Sequence, residues 1–268
     1  MVSAAQLGDW RMSGPMARDP ASEAAFLGLT ALLFAASAVL TTLWCCSMPA
    51  VQMQMPGGWT MSMAWMRMPG QMWTGAAASF VGMWAVMMVA MMLPSLIPTL
   101  WRYREAVGRL TALVGAGYFL VWIVIGMAIF PVGVVLAAVE IQQPALSLKV
   151  PIAAGVVVLM AGALQFTAWK AHHLACCRDA PGSGKLPADA ATAWRHGLRL
   201  GLHCSYGCAG LTAILLTIGV MDLRAMAVVT VAITAERLAP NGECVARVIG
   251  AVAIAAGLFL IVQAAGLR

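Results

Sequence analysis

Most of the chain's four histidines and seven cysteines gather in two short stretches, His172, His173, Cys176 and Cys177, then His203, Cys204 and Cys208. Read as helix, the pairs His172/Cys176, His173/Cys177 and Cys204/Cys208 each stand four apart and so share a face. Imidazole and thiolate are the donors that soft and borderline metal ions select. A reducing cytoplasm would leave such thiols free to bind. Copper(I) is the first candidate, and zinc(II) in a closed four-donor site is the alternative. Taken singly, each residue also reads as ordinary structure, because free cysteines are commonly buried and a lone histidine needs no metal. It is the grouping that argues for metal.

A second set of soft donors lies earlier in the chain. Thirteen of the twenty methionines fall between Met48 and Met92. Met53, Met55, Met61, Met63, Met66 and Met68 form Met-x-Met pairs, and a thioether remains a usable copper(I) ligand where thiols would oxidise. Methionine equally fills irregular apolar gaps. Met83, Met87 and Met91, at i, i+4 and i+8, make a stripe that packing alone would explain. Cys45 and Cys46 precede this region, either as membrane-buried thiols or as further soft ligands.

The elements that must hold these residues are apolar helices. The chain has 268 residues, 62% hydrophobic and only 10% charged, which excludes an ordinary soluble domain. The expected fold is all-α, a polytopic transmembrane bundle of about seven spans: Phe26 to Cys46, Gly75 to Ile97, Leu110 to Val139, Val150 to Trp169, Leu198 to Val220, Leu223 to Leu238, and Cys244 to Leu267. Each approaches the ~20 apolar residues that a crossing needs. Pro131 and Gly133 predict a kink or an early end in the third span. The first apolar run lacks a convincing cleavage site and reads as a retained span.

The net charge of +6 forms no basic stripe, so nucleic acid is not an expected partner. Basic residues mark the cytoplasmic side instead. With the N-terminus inside, twelve of them fall inside, among them Arg102, Arg104, Lys170, Arg178, Arg195 and Arg199. Only Arg67, Lys149, Arg224 and Arg268 fall outside. This gives a cytoplasmic tail over residues 1–25 and one membrane domain over 26–268. A Met-rich outer loop would occupy 47–74 and a Cys/His-containing inner loop 170–197. Glu236, near the inner end of the sixth span, is expected to reach the interface or to pair with Arg237.

Together these features predict a multi-pass membrane protein that captures copper(I) at outer methionines and hands it to inner Cys/His ligands, by transfer or by transport. The alternative is a non-transporting accessory subunit or metal chaperone for a membrane metalloenzyme. Expected partners are lipid, the metal ion, and a protein partner or a second copy. An enzyme is not expected, since there is no Cys-x-x-Cys, no opposed intramembrane histidine pair and few acids placed for proton transfer.

Several blocks of the chain also resemble a bacterial family described as predicted metal-binding integral membrane proteins. They are Met83-Trp84-Ala85-Val86-Met87-Met88-Val89-Ala90-Met91-Met92-Leu93-Pro94-Ser95, Gln165-Phe166-Thr167 through Lys170 to Cys177-Arg178, Gly219-Val220-Met221, and Glu236-Arg237. The resemblance runs from about Ser79 to the C-terminus and implies a helix bundle of the bacterial inner membrane that binds metal. Where that family tends to have Cys-x-Gly-Cys-Cys-Trp, this chain has Cys204-Ser205-Tyr206-Gly207-Cys208-Ala209-Gly210. One thiol and the tryptophan are lost, and His203 is present.

Overall fold

Long apolar runs can satisfy their own backbone in lipid only as helices or closed barrels, and this chain forms helices. The computed structural model describes residues 20–47, 53–56, 58–67, 70–178 and 189–266. In order come α1 (Pro20–Ser47), a hairpin of β1 (Met53–Met55) and β2 (Trp59–Met61), α2 (Trp73–Val107), α3 (Thr111–Gln142), α4 (Pro144–Ser147), α5 (Val150–Leu164), α6 (Ala168–Arg178), α7 (Ala190–Ile218), α8 (Leu223–Leu238) and α9 (Gly242–Gly266). Short 3-10 turns cover Met63–Trp65 and Gly108–Leu110.

Five of these helices, α1, α2, α3, α7 and α9, are long and apolar enough to cross a membrane. A sixth span results if α5 and α6, bent by 66° at their junction, are taken together. The expectation of seven therefore meets two exceptions. The predicted fourth span breaks because the N–H groups of Gln165, Phe166 and Thr167 bond to carbonyls three residues back, a tightening that ends a helix. Thr167 Oγ1 then accepts the Lys170 N–H at 3.3 Å, capping the start of α6. The predicted sixth span is α8, whose 16 residues rise only about 24 Å.

Other boundaries also move. α1 starts at Pro20, inside the expected tail, and α2 runs ten residues past Ile97 to Val107. α3 continues through Pro131 instead of ending there. α6 and α7 extend into the expected inner loop. The α7–α8 turn forms as expected, with Asp222 Oδ1 accepting the N–H groups of Arg224 and Ala225.

Glycine seams decide which helices touch. Lipid gives helices no hydrophobic reason to associate, so close packing through small residues must hold them. α5 packs on α9 and α3 on α7 most extensively. A Cβ at Gly162 would lie 2.8 Å from the Gly250 carbonyl oxygen, and one at Gly257 would lie 2.8 Å from that of Gly155. On the other seam, a Cβ at Gly117 would lie 2.8 Å from the Trp194 oxygen and one at Gly201 2.8 Å from the Tyr118 oxygen. The outer surface is apolar, with Leu32, Val135, Val228, Val231, Val252 and Phe259 all exposed.

The two ends of the bundle are marked by different contacts. At one end Trp59 Nε1 donates to the Ser147 carbonyl at 3.0 Å and Cys45 Sγ lies 3.9 Å from Met221 Sδ. At the other, Arg104 bonds to Ser22 and Arg178 to the Ala239 carbonyl.

Candidate metal centre

Four helices converge on the second thiol group. The seam at Gly197 and Gly201 lets α7 approach α3 until Tyr118 Oη and Cys204 Sγ are 2.9 Å apart. One turn further along α7, Cys208 Sγ lies 3.8 Å from Cys204 Sγ. α6 brings Cys177 into the same buried cluster, its thiol free and facing that of Cys204 closely enough for the two to interact. All three thiols are buried, Cys204 completely.

α8 contributes a cation. Arg237, 6% exposed, donates from Nη1 to Ser95 Oγ at 3.0 Å and to Cys204 Sγ at 3.3 Å, with Tyr118 Oη at 3.4 Å. Its Nη2 has no partner among the described residues. Beside it, Lys170 Nζ meets Glu236 Oε2 at 2.6 Å and donates to the Gly207 carbonyl at 2.6 Å. Glu236 is thus paired with Lys170 and not with Arg237, its sequence neighbour. Successive helix positions point about 100° apart, so Glu236 and Arg237 face different helices.

The histidines form a separate group on the outer side of the α6–α7 pair. His173 Nδ1 and His203 Nδ1 are 3.1 Å apart, the opposed pair that the sequence did not disclose. His172 packs edge-on against His173, and its Nε2 lies 3.7 Å from Cys176 Sγ. Trp169 and Tyr206 wall the cluster. His196 stands apart, tilted against Tyr103.

The methionines divide. Met83, Met87 and Met91 are buried in the same core cluster as Cys177, Cys204 and Cys208, together with Met88 and Met92. The next position of the stripe, Ser95, four residues beyond Met91, accepts from the Arg237 Nη1 that also reaches Cys204 Sγ, and its own hydroxyl donates to the Met92 carbonyl at 2.9 Å. In the expected loop the chain instead forms the hairpin, with Met53 opposite Met61. Met55 and Met61 are buried with Ala137 against Trp59 and Trp65, so the loop has a small core of its own. Met53 is exposed and Met66 half-buried; Met68 and the Met63 side chain lie outside the described residues.

Two donors each ~2.3 Å from a metal at the tetrahedral angle stand ~3.8 Å apart, the separation of Cys204 and Cys208. Among the described residues no group of three or more His, Cys, Asp or Glu is arranged as a ready-made metal cage. What the described residues offer ready-made is the pair of sulfurs, Cys204 and Cys208. Sequence reasoning missed Tyr118, Ser95, Lys170 and the role of Arg237. The available signal was the presence of Lys170, Glu236 and Arg237 at the ends of apolar runs, where charge must find a partner.

Residues 81–260 match the family model PpoB2, described as a copper chaperone. Comparison with curated proteins and with solved structures gives no match. The matched region takes in the buried methionine stripe, the bent α5–α6 pair and the segments of α3, α7 and α8 that meet at Cys204. On a match covering well over half of its length, the chain belongs to the PpoB2 copper chaperone family.

Proposed function

We propose that the protein is a multi-pass chaperone of the bacterial inner membrane that carries copper(I) on Cys177, Cys204 and Cys208. The observation that carries this reading is the Cys204–Cys208 pair at 3.8 Å, with Cys177 against it, at the buried foot of the methionine stripe. Thiolate and thioether donors together favour copper(I) over harder ions.

Charge supports the same reading. A copper(I) ion held by two thiolates carries one net negative charge, which is costly in a low-dielectric interior unless a cation is close. Arg237, always protonated, sits 3.3 Å from Cys204 Sγ with no carboxylate paired to it among the described residues. It supplies the counter-charge, and Tyr118 orients the same sulfur.

The methionines supply the approach. Met53 and Met66 at the hairpin, then Met83, Met87 and Met91 along α2, offer weak neutral donors from which the ion passes by ligand exchange to the stronger thiols. Seven passages, with the hairpin outside and the α6–α7 connection inside, fit both the basic-residue asymmetry and the contacts at the two ends of the bundle. A carrier that delivers to an acceptor protein needs no net flux. Transport across the bilayer is the competing reading.

Competition titration of the purified full-length protein with a chromophoric copper(I) chelator tests the proposal. Replacing Cys177, Cys204 and Cys208 with Ser is expected to remove one tightly held equivalent while the protein stays monodisperse. Unchanged stoichiometry would overturn it. Copper uptake into proteoliposomes without any acceptor would favour the transporter.

A further inference from the structure

We infer that His172, His173 and His203 form a second metal site, made of imidazole donors, from which copper(I) leaves the buried thiols for an acceptor. This rests on the copper reading of the thiol site but uses none of its ligands.

The geometry of the three rings points to a shared ion. Their centroids are separated by 5.3 Å for His172 and His173, 5.3 Å for His173 and His203, and 6.4 Å for His172 and His203. A metal–nitrogen bond of ~2.0–2.1 Å puts a ring centroid ~3.2 Å from the ion, so two imidazoles on one ion have centroids about 5.2 to 6.4 Å apart between the tetrahedral and linear arrangements. The three centroids lie on a circle of radius about 3.3 Å, so an ion near its centre sits close to that ~3.2 Å from every ring, in a nearly planar three-coordinate arrangement.

The contact between His173 and His203 supplies a second argument. Two Nδ1 atoms at 3.1 Å must share one proton, since two bare lone pairs would repel. An ion can take that proton's position, because two nitrogens bound to one metal at ~2.05 Å and ~100° are also about 3.1 Å apart. The cluster is thus a hydrogen-bonded precursor that metal closes, and Cys176, 3.7 Å from His172 Nε2, can add a sulfur donor.

Location separates this site from the first. Cys204 is fully buried, whereas His172 is exposed and His203 and Cys176 are half-buried. Yet the two sites share both helices: His173 and Cys177 are one turn apart on α6, and His203 precedes Cys204 on α7. Trp169 and Tyr206 beside His173 are residues that favour the membrane–water interface. An ion moving from the thiols to the imidazoles therefore crosses one helical turn and arrives where another protein can reach it. No electron is exchanged; copper stays copper(I) and exchanges sulfur for nitrogen ligands.

Copper(I) titration combined with X-ray absorption at the copper edge tests this on the full-length protein in detergent. The wild type is expected to take up two equivalents, the first with a sulfur shell and the second with a nitrogen-rich one. The His172→Gln/His203→Gln variant should lose the second and keep the first. The Cys177→Ser/Cys204→Ser/Cys208→Ser variant should lose the sulfur-bound equivalent and keep the nitrogen-bound one. Unchanged stoichiometry in the histidine variant, with sulfur scattering only, overturns the second site and leaves the thiol site standing. Unchanged stoichiometry in the cysteine variant overturns the thiol site instead. If the histidine variant does not remain monodisperse, the wild-type spectrum at two equivalents decides: nitrogen ligands support the site and an all-sulfur shell rejects it.

Discussion

The Lys170 ammonium and the Glu236 carboxylate meet at 2.6 Å, both almost wholly buried, and join α6 to α8. Removing one partner of a buried pair leaves the other charge uncompensated, at a cost of about 3–5 kcal/mol. Lys170→Met and Glu236→Leu should each lower the thermal midpoint in detergent strongly. The double variant should recover a large part of the loss, since an apolar pair strands no charge. A double variant no more stable than either single one would show that the two residues act separately.

Arg237 is predicted to tune the thiol site through its fork of donors. Arg237→Lys keeps the charge but cannot reach Ser95, Cys204 and Tyr118 from one planar group. Partners behind metal ligands are commonly worth about 10–100-fold in affinity, and a loss of that size in copper(I) affinity is expected. Measurement by chelator competition, with circular dichroism to verify the helices, checks it.

The α3–α7 seam should tolerate no added bulk. A Cβ at Gly197 would overlap the Val114 carbonyl and one at Gly201 would press on that of Tyr118. Gly197→Ala should cost about 1–3 kcal/mol through overpacking, whereas Gly82→Ala on α2, with open space around it, should cost nothing measurable. Paired melting curves test the contrast.

For the hairpin, the prediction distinguishes packing from capture. Leu conserves volume and apolarity, so replacing Met53, Met55, Met61, Met63, Met66 and Met68 together by Leu should preserve the fold and the loading of the thiols in detergent. Copper acquisition by intact cells should fall. A variant that folds and acquires copper at the wild-type rate would remove the hairpin from the route.

Native cysteines offer a check on orientation. Cys46 and Cys244 are both exposed, near opposite ends of the bundle. An impermeant thiol reagent applied to intact cells should label Cys46 and spare Cys244, with Cys46→Ser and Cys244→Ser identifying each signal by mass spectrometry. The reverse pattern would invert the topology.

Helix positions were legible in the sequence because apolar length is a strong signal: α8 and α9 begin and end near where hydropathy puts them, and α7 ends there but starts eight residues earlier, at Ala190, in a polar stretch that hydropathy does not mark. The break between α5 and α6 was not, since Gln165 and Thr167 sit in a run apolar enough to pass as continuous. The grouping of His172 through Cys177 with His203 through Cys208 was also legible, because helical spacing alone assigns faces. Its division into a buried thiol set and an imidazole set that reaches the surface at His172 was not. That division depends on how α6 crosses α7, which the bend at Thr167 and the glycine seam determine. Tyr118 and Ser95 carry no sequence signal of their own, as each is polar only at its tip and acts through a long-range contact.

The 16-residue α8 has a consequence for the bilayer itself. As one of the seven passages proposed above, at about 24 Å it would be roughly 6 Å shorter than a typical hydrocarbon core, and lipid next to so short a span thins to match it. α8 carries Arg237, so any local depression of the membrane would form beside the thiol site. Headgroups and water would then approach Cys204 more closely than the length of α2 or α3 suggests, and a membrane with shorter acyl chains would suit the protein better than a thick one.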